Sequence, residues 1–94
     1  MKILTIVRHA KSSWSDASIS DAKRPLNRRG KHDAPMMGER INDHGIRPSL
    51  IVSSPATRAW STAKIIAEAI NYPREFLQKE KSLYLASLDR ILDV

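Results

Sequence analysis

The chain contains no cysteine. That absence excludes disulfides, thiolate metal sites and a cysteine nucleophile, and it suits a cytoplasmic setting. Aromatic residues are few: two Trp, two Tyr and one Phe in 94 residues. A stacking platform for the bases of a nucleic acid asks for more. No apolar run approaches membrane-spanning length, and the N-terminus enters a strand pattern rather than a signal-peptide pattern. No membrane association is therefore expected. Internal repeats, low-complexity segments and long Lys/Arg blocks are also absent. What is present is a surplus of cations: 16 Lys and Arg against 10 Asp and Glu, a formal net charge of +6. Such a balance suits nucleic acid, an anionic membrane surface or an anionic substrate. The basic residues are scattered, from Lys2, Arg8 and Lys11 to Arg58 and beyond, so nucleic-acid binding ranks low. A hydrophobic fraction of 41% supports a modest core in at most one domain.

The chain is organised around its first apolar run. Ile3 to Val7 are β-branched or aliphatic, without charge, Gly or Pro. That predicts a strand buried on both faces, as in the middle of a parallel sheet. It delivers Arg8 and His9 at its C-terminal end, where open α/β sheets bind ligands. A polar loop from Lys11 to Pro25 follows, and Ser12 and Ser13 are placed to donate to an anion just beyond the strand. Trp14 is expected to pack this loop down. Asn27 is a good N-cap for a helix whose inner face carries Ala34, Met37, Gly38 and Ile41 and which stops at Gly45. Pro35 marks its first full turn or a kink. His32 and His44 lack carboxylates at metal-ligand spacing and read as surface residues.

Ile46 to Val52 predicts a second strand, with Pro48 at its edge. Ser54 as N-cap and Pro55 at the first helical position predict the next helix. Its inner face is expected to hold Ala56, Ala59, Trp60, Ala63, Ile66, Ala67 and Ile70. Arg58 sits in the first turn, where the helix dipole disfavours a cation. A strand feeding a helix N-terminus offers donors to an anion, which gives Arg58 a reason to be there. Asn71-Tyr72-Pro73 ends the helix, and Glu75 to Lys79 predict a short strand with Phe76 and Leu77 buried. Glu80 reads as a solvated charge. Ser87 is expected to cap a further helix with Leu88, Ile91 and Leu92 inward.

Three stretches carry a resemblance. Val7-Arg8-His9-Ala10-Lys11-Ser12-Ser13-Trp14 resembles the Arg-His-Gly signature of the histidine phosphatase superfamily, in the form found in small SixA-type phosphohistidine phosphatases. Arg24-Pro25-Leu26-Asn27-Arg28-Arg29-Gly30 is similar to the Arg-Pro-Leu-Thr-x-x-Gly segment of that group, with Asn27 for the usual Thr or Ser. Ser53-Ser54-Pro55-Ala56-Thr57-Arg58-Ala59-Trp60-Ser61-Thr62-Ala63 resembles the second superfamily signature. The resemblance implies an α/β fold: a three-layer α/β/α sandwich with a mostly parallel sheet, phosphoglycerate mutase-like, of which residues 1–94 form the N-terminal portion. It implies that His9 is the nucleophile, that Arg8 and Arg58 hold the phosphoryl oxygens, and that Ser12 assists in binding. No cofactor and no metal are implied. Relatives continue into a second pocket histidine, and none of His9, His32 and His44 stands in its context. The break within the last helix is expected to be a truncation.

The implied chemistry stands on its own terms. A neutral imidazole keeps a nitrogen lone pair, and neighbouring arginines disfavour its protonation by like-charge repulsion. The same arginines offer planar, fixed donors to phosphoryl oxygens. The implied substrate is a phosphorylated protein carrying phosphohistidine, such as a phosphotransfer domain. A small phosphorylated substrate of a phosphomonoesterase or mutase is the alternative, and an inactive phosphate-binding fragment is the other. An uncovered apolar sheet edge would invite pairing between chains.

Overall fold

The computed structural model describes residues 4–84. Its elements in chain order are helix α1 (Arg28–Asp43), strand β1 (Val52–Ser53), helix α2 (Thr57–Ala69) and strand β2 (Gln78–Lys79). Single 3₁₀ turns lie at Asp21–Lys23, Arg74–Phe76 and Lys81–Leu83. The two strands pair in parallel, Val52 opposite Gln78 and Ser53 opposite Lys79. Ile51 and Ser53 supply the carbonyls that accept from Gln78 and Glu80, at 3.2 and 2.8 Å. A parallel pair needs a crossover, and α2 provides it. The expected α/β class with a parallel sheet is what the structure shows.

Local chemistry explains both helices. The Asn27 side chain accepts from the Gly30 amide at 2.8 Å, the predicted cap of α1. Gly45 takes a left-handed φ of 71° and ends the helix, with the Ile46 amide reaching back to the Ile41 carbonyl. Pro35 lies inside α1 on its exposed side, where water can satisfy the Lys31 carbonyl left without an amide donor. Asn71 ends α2 in the same left-handed way, at φ 60°, and the Tyr72 amide returns to the Ala67 carbonyl. The helices meet where side chains are smallest. A Cβ on Gly38 would stand 2.6 Å from the Ala69 Cβ and 3.5 Å from the Ile66 Cα. The small core comprises Leu26, Ala34, Ala56, Ile66, Ala67, Ile70 and Leu77.

Several expectations are corrected. Leu4 to Val7 form no strand, and Leu4, Ile6 and Val7 are 60%, 59% and 45% exposed. A central strand needs hydrogen-bonding neighbours, and the sheet among the described residues consists of β1 and β2 alone. The second strand is confined to Val52–Ser53 because only those residues face β2, and Leu50 stays exposed. Helix α2 starts at Thr57 instead of Pro55, with Ala56 at the cap position. Ser54 uses its hydroxyl one step earlier, accepting from the Ala56 amide at 3.2 Å. Met37, Phe76 and Trp14 were expected inside and lie outside. The helix expected after Ser87 lies outside the described residues.

Candidate active site

The peptide that follows the apolar run is anchored on both sides. Arg8 is exposed and His9 is half-buried. The His9 Nδ1 lies 2.8 Å from the Ala10 carbonyl oxygen. A carbonyl can only accept, so this contact places the ring proton on Nδ1 and leaves the lone pair on Nε2 when the ring is neutral. The next amide, Ala10 N–H, donates to the Thr62 hydroxyl at 3.1 Å, and that hydroxyl donates to the Arg58 carbonyl at 2.8 Å. Thr62 and Arg58 are one turn apart on the buried stripe of α2. One hydroxyl thus joins the His9 segment to the Arg58 helix.

The second anchor is α1. Lys11 accepts from the Asn27 amide at 2.9 Å, and Gly30 packs so closely that a Cβ there would strike the Lys11 carbonyl. Ser12 and Leu26 form an antiparallel bridge, and the Ser13 amide donates to the Pro25 carbonyl at 2.8 Å. These contacts close the base of the Lys11–Pro25 loop. Within it, Asp16 accepts from the Ser18 hydroxyl at 2.6 Å and from its amide at 2.9 Å. The Ser18 hydroxyl and amide hold the Asp16 carboxyl below its ordinary value.

The loop then returns Asp21 to the site. Arg58 is only 5% exposed. Its Nη1 donates to the Asp21 carbonyl at 2.6 Å and its Nη2 to Asp21 Oδ2 at 2.9 Å. Arg24 donates to Asp21 Oδ1 at 3.1 Å and also to the Ser12 hydroxyl. The Tyr84 hydroxyl donates to Asp21 Oδ2, and its ring lies 5.9 Å from the Arg58 guanidinium. Asp21 is held well below the usual carboxylate range, first by Tyr84, then by Arg24 and Arg58. Tyr84 is pushed up because its hydroxyl donates to that carboxylate. Arg24 also stacks on Trp14 at 3.7 Å. Trp14 is 78% exposed, so the ring covers Arg24 from outside rather than packing the loop inward.

Of the residues expected at the site, His9 and Arg58 are brought together through Ala10 and Thr62. Ser12 joins Arg58 through Arg24 and Asp21, and its hydroxyl is turned to Arg24. Arg8 stands on the surface beside His9. The residues that sequence reasoning passed over are Asp21, Arg24, Thr62 and Tyr84. Thr62 had a readable signal: Arg58, Thr62, Ile66 and Ile70 recur every four residues, and all are buried. Asp21 and Arg24 are three apart, a spacing at which side chains meet on one helical turn. Tyr84 had none. Glu80 is half-buried and capped onto Ser82, whose amide and hydroxyl donate to Glu80 Oε1 at 3.3 and 3.0 Å. It is therefore engaged locally rather than simply solvated. His32 and His44 are exposed, as expected. Among the described residues no group of three or more His, Asp or Glu is placed to hold a metal ion.

Comparisons with known proteins agree with this placement. An uncharacterized chloroplastic protein of Arabidopsis thaliana is 44% identical over 61 residues, 65% of this chain and 28% of its own length. The mitochondrial serine/threonine-protein phosphatase Pgam5 of Drosophila ananassae is 35% identical over 72 residues, 77% of this chain and 24% of that protein. A crystal structure from Agrobacterium tumefaciens, assigned as phosphohistidine phosphatase SixA, superposes with a TM-score of 0.83 at 30% identity. It covers 93% of this chain and 55% of the solved one. The chain therefore spans about a quarter of the length of these two curated relatives and about half of the solved structure. The fold is the α/β fold of that SixA structure, phosphoglycerate mutase-like, with a parallel sheet. The model of the histidine phosphatase superfamily, branch 1, matches residues 4–81, and with His9, Thr62 and Arg58 joined as described, the chain belongs to the histidine phosphatase superfamily.

Proposed function

We propose that this chain is the nucleophile-bearing part of a phosphatase that acts through a phosphohistidine on His9, with phosphohistidine in a protein as substrate. The observation that carries the reading is the His9 tautomer: Nδ1 donates to Ala10, so Nε2 holds the lone pair. Nε2 attacks phosphorus, the bond from phosphorus to the substrate nitrogen breaks, and that nitrogen takes a proton as it leaves. Water then attacks phosphorus, the bond to Nε2 breaks, and orthophosphate departs. Arg8 and Arg58 supply donors to the oxygens whose charge builds up in each step, and Ser12 lines the same wall. The substrate class is supported by the likeness to the SixA structure. The likeness to Pgam5 keeps phosphorylated serine or threonine and small phosphate monoesters as alternative substrates.

The test compares the chain with its His9→Ala variant on a radiolabelled phosphohistidine protein and on p-nitrophenyl phosphate. We expect orthophosphate release and an acid-labile label on the unaltered chain, with both lost in the variant. Equal release by the variant would remove His9 from the mechanism. A second reading, phosphate binding without turnover, is favoured by one contact: Asp21 already engages both terminal nitrogens of Arg58. It predicts phosphate affinity with no label on His9.

A further inference from the structure

Arg58 is a buried guanidinium whose charge is answered from a distant loop. A desolvated cation in the first turn of a helix is doubly disfavoured, by lost hydration and by the helix dipole. The chain answers with Asp21, 37 residues away, which offers a carbonyl to Nη1 and a carboxylate oxygen to Nη2. The same carboxylate takes Arg24 on its other oxygen and the Tyr84 hydroxyl beside Arg58. Two guanidinium groups thus share one carboxylate, and the cluster keeps one net positive charge. Both arginines also hold a buried Nε–H with no hydrogen-bond partner among the described residues. Unpaired buried donors are rare and call for an acceptor. The terminal nitrogens are fixed by Asp21, and the donors left over belong to the edges that carry Nε.

We propose that Asp21 is a positioning residue that fixes the planes of Arg58 and Arg24 so that their unpaired edges present donors to a tetrahedral oxyanion, with Tyr84 holding the carboxylate in place. The inference rests on the phosphatase reading for its setting. Its own content is the anion affinity of a cluster that nothing in the three signature stretches requires. Asp21 touches no reacting atom and acts through the two arginines. Charge counting alone gives the opposite sign, because removing a carboxylate from beside two arginines should tighten an anion. A carboxylate that merely blocks the site gives that opposite sign too.

The experiment titrates the chain and its Asp21→Asn, Asp21→Glu and Tyr84→Phe variants with tungstate, followed by calorimetry, with circular dichroism confirming the fold of each. Asp21→Asn is expected to lose about tenfold in affinity, and Tyr84→Phe about threefold in the same direction. Asp21→Glu, which restores the charge on a longer arm, should recover part of the loss. Tyr84→Phe carries the test if Asp21→Asn fails to fold, since it removes one hydroxyl from a half-buried position. A merely structural role would lower the unfolding midpoint and leave the affinity of the folded variants unchanged, which overturns the proposal. Tighter tungstate binding by Asp21→Asn overturns it as well, and so does a chain that binds no tungstate. Tungstate affinity that falls in the variants, in a chain without turnover, supports Asp21 and sinks the phosphatase reading instead.

Discussion

At the scale of single residues, the site depends on polar groups that each do two things. Thr62 accepts from Ala10 and donates to Arg58, so one hydroxyl sets the distance between the histidine segment and the arginine helix. Asp21 serves three partners, and its ionisation couples to stability. Its carboxyl is depressed in the folded chain from an ordinary value of 3.8. A depressed acid stabilises the fold above its unfolded pKa, and that contribution is lost as pH falls through the folded value. The groups facing it are Arg24, Arg58 and Tyr84; both arginines keep their charge throughout, so only the carboxyl changes state in acid. Asp16 and Asp33 are depressed too and add to the same acid limb, Asp33 chiefly through His32. Thermal unfolding should therefore show a midpoint that drops below about pH 4, and the drop should be smaller for Asp21→Asn than for the unaltered chain. Equal drops would mean that the Asp21 contacts add nothing to the folded state. Tyr84 has the opposite sign: its raised pKa favours the fold below its ordinary value of 10.0 and that favour is lost at more alkaline pH.

At the scale of elements, the contact between α1 and α2 is set by the smallness of Gly38. Its position allows the helices to approach until Ala69 and Ile66 fill the space a side chain would take. Gly38→Ala gains about 1 kcal/mol of helix propensity and meets an overpacking cost of about 1–3 kcal/mol. We expect a net destabilisation, read as a lower urea midpoint with an unchanged slope. A more stable variant would show that the helices can separate freely. The element boundaries also say what sequence made legible. Asn27, Gly45 and Asn71 were readable because caps and left-handed stops are decided by the nearest few residues. The start of α2 was misplaced by two residues because Ser54 and Pro55 carry a strong start signal that a local turn also satisfies. Strand Ile3–Val7 was over-read for a different reason. An apolar run records a tendency to be covered, and the partner that covers it is not written in the run.

At the scale of the whole molecule, the described residues leave an apolar surface. Leu4, Ile6 and Val7 are exposed beside a sheet of only two strands, and Leu50 and Phe76 are exposed as well. Surface of this kind favours association over solution. Ile6→Lys should change stability by no more than about 0.5 kcal/mol, because the side chain has little contact to lose. It should also lower self-association in sedimentation velocity at rising concentration. A large fall in the unfolding midpoint would show that Ile6 is buried in solution.

Sequence by itself determined the family signatures, the two amphipathic helices with their caps, and the pairing of His9 with Arg58 as chemistry. These follow from short-range sterics, helical period and residue types at fixed spacing. Only the tertiary structure decided which polar groups complete the site. Thr62 reaches Ala10 across 52 residues, Asp21 reaches Arg58 across 37, and Tyr84 reaches Asp21 across 63. A hydrogen bond between distant segments leaves no period in the chain, because it depends on where the backbone brings two groups and not on what stands next to either of them.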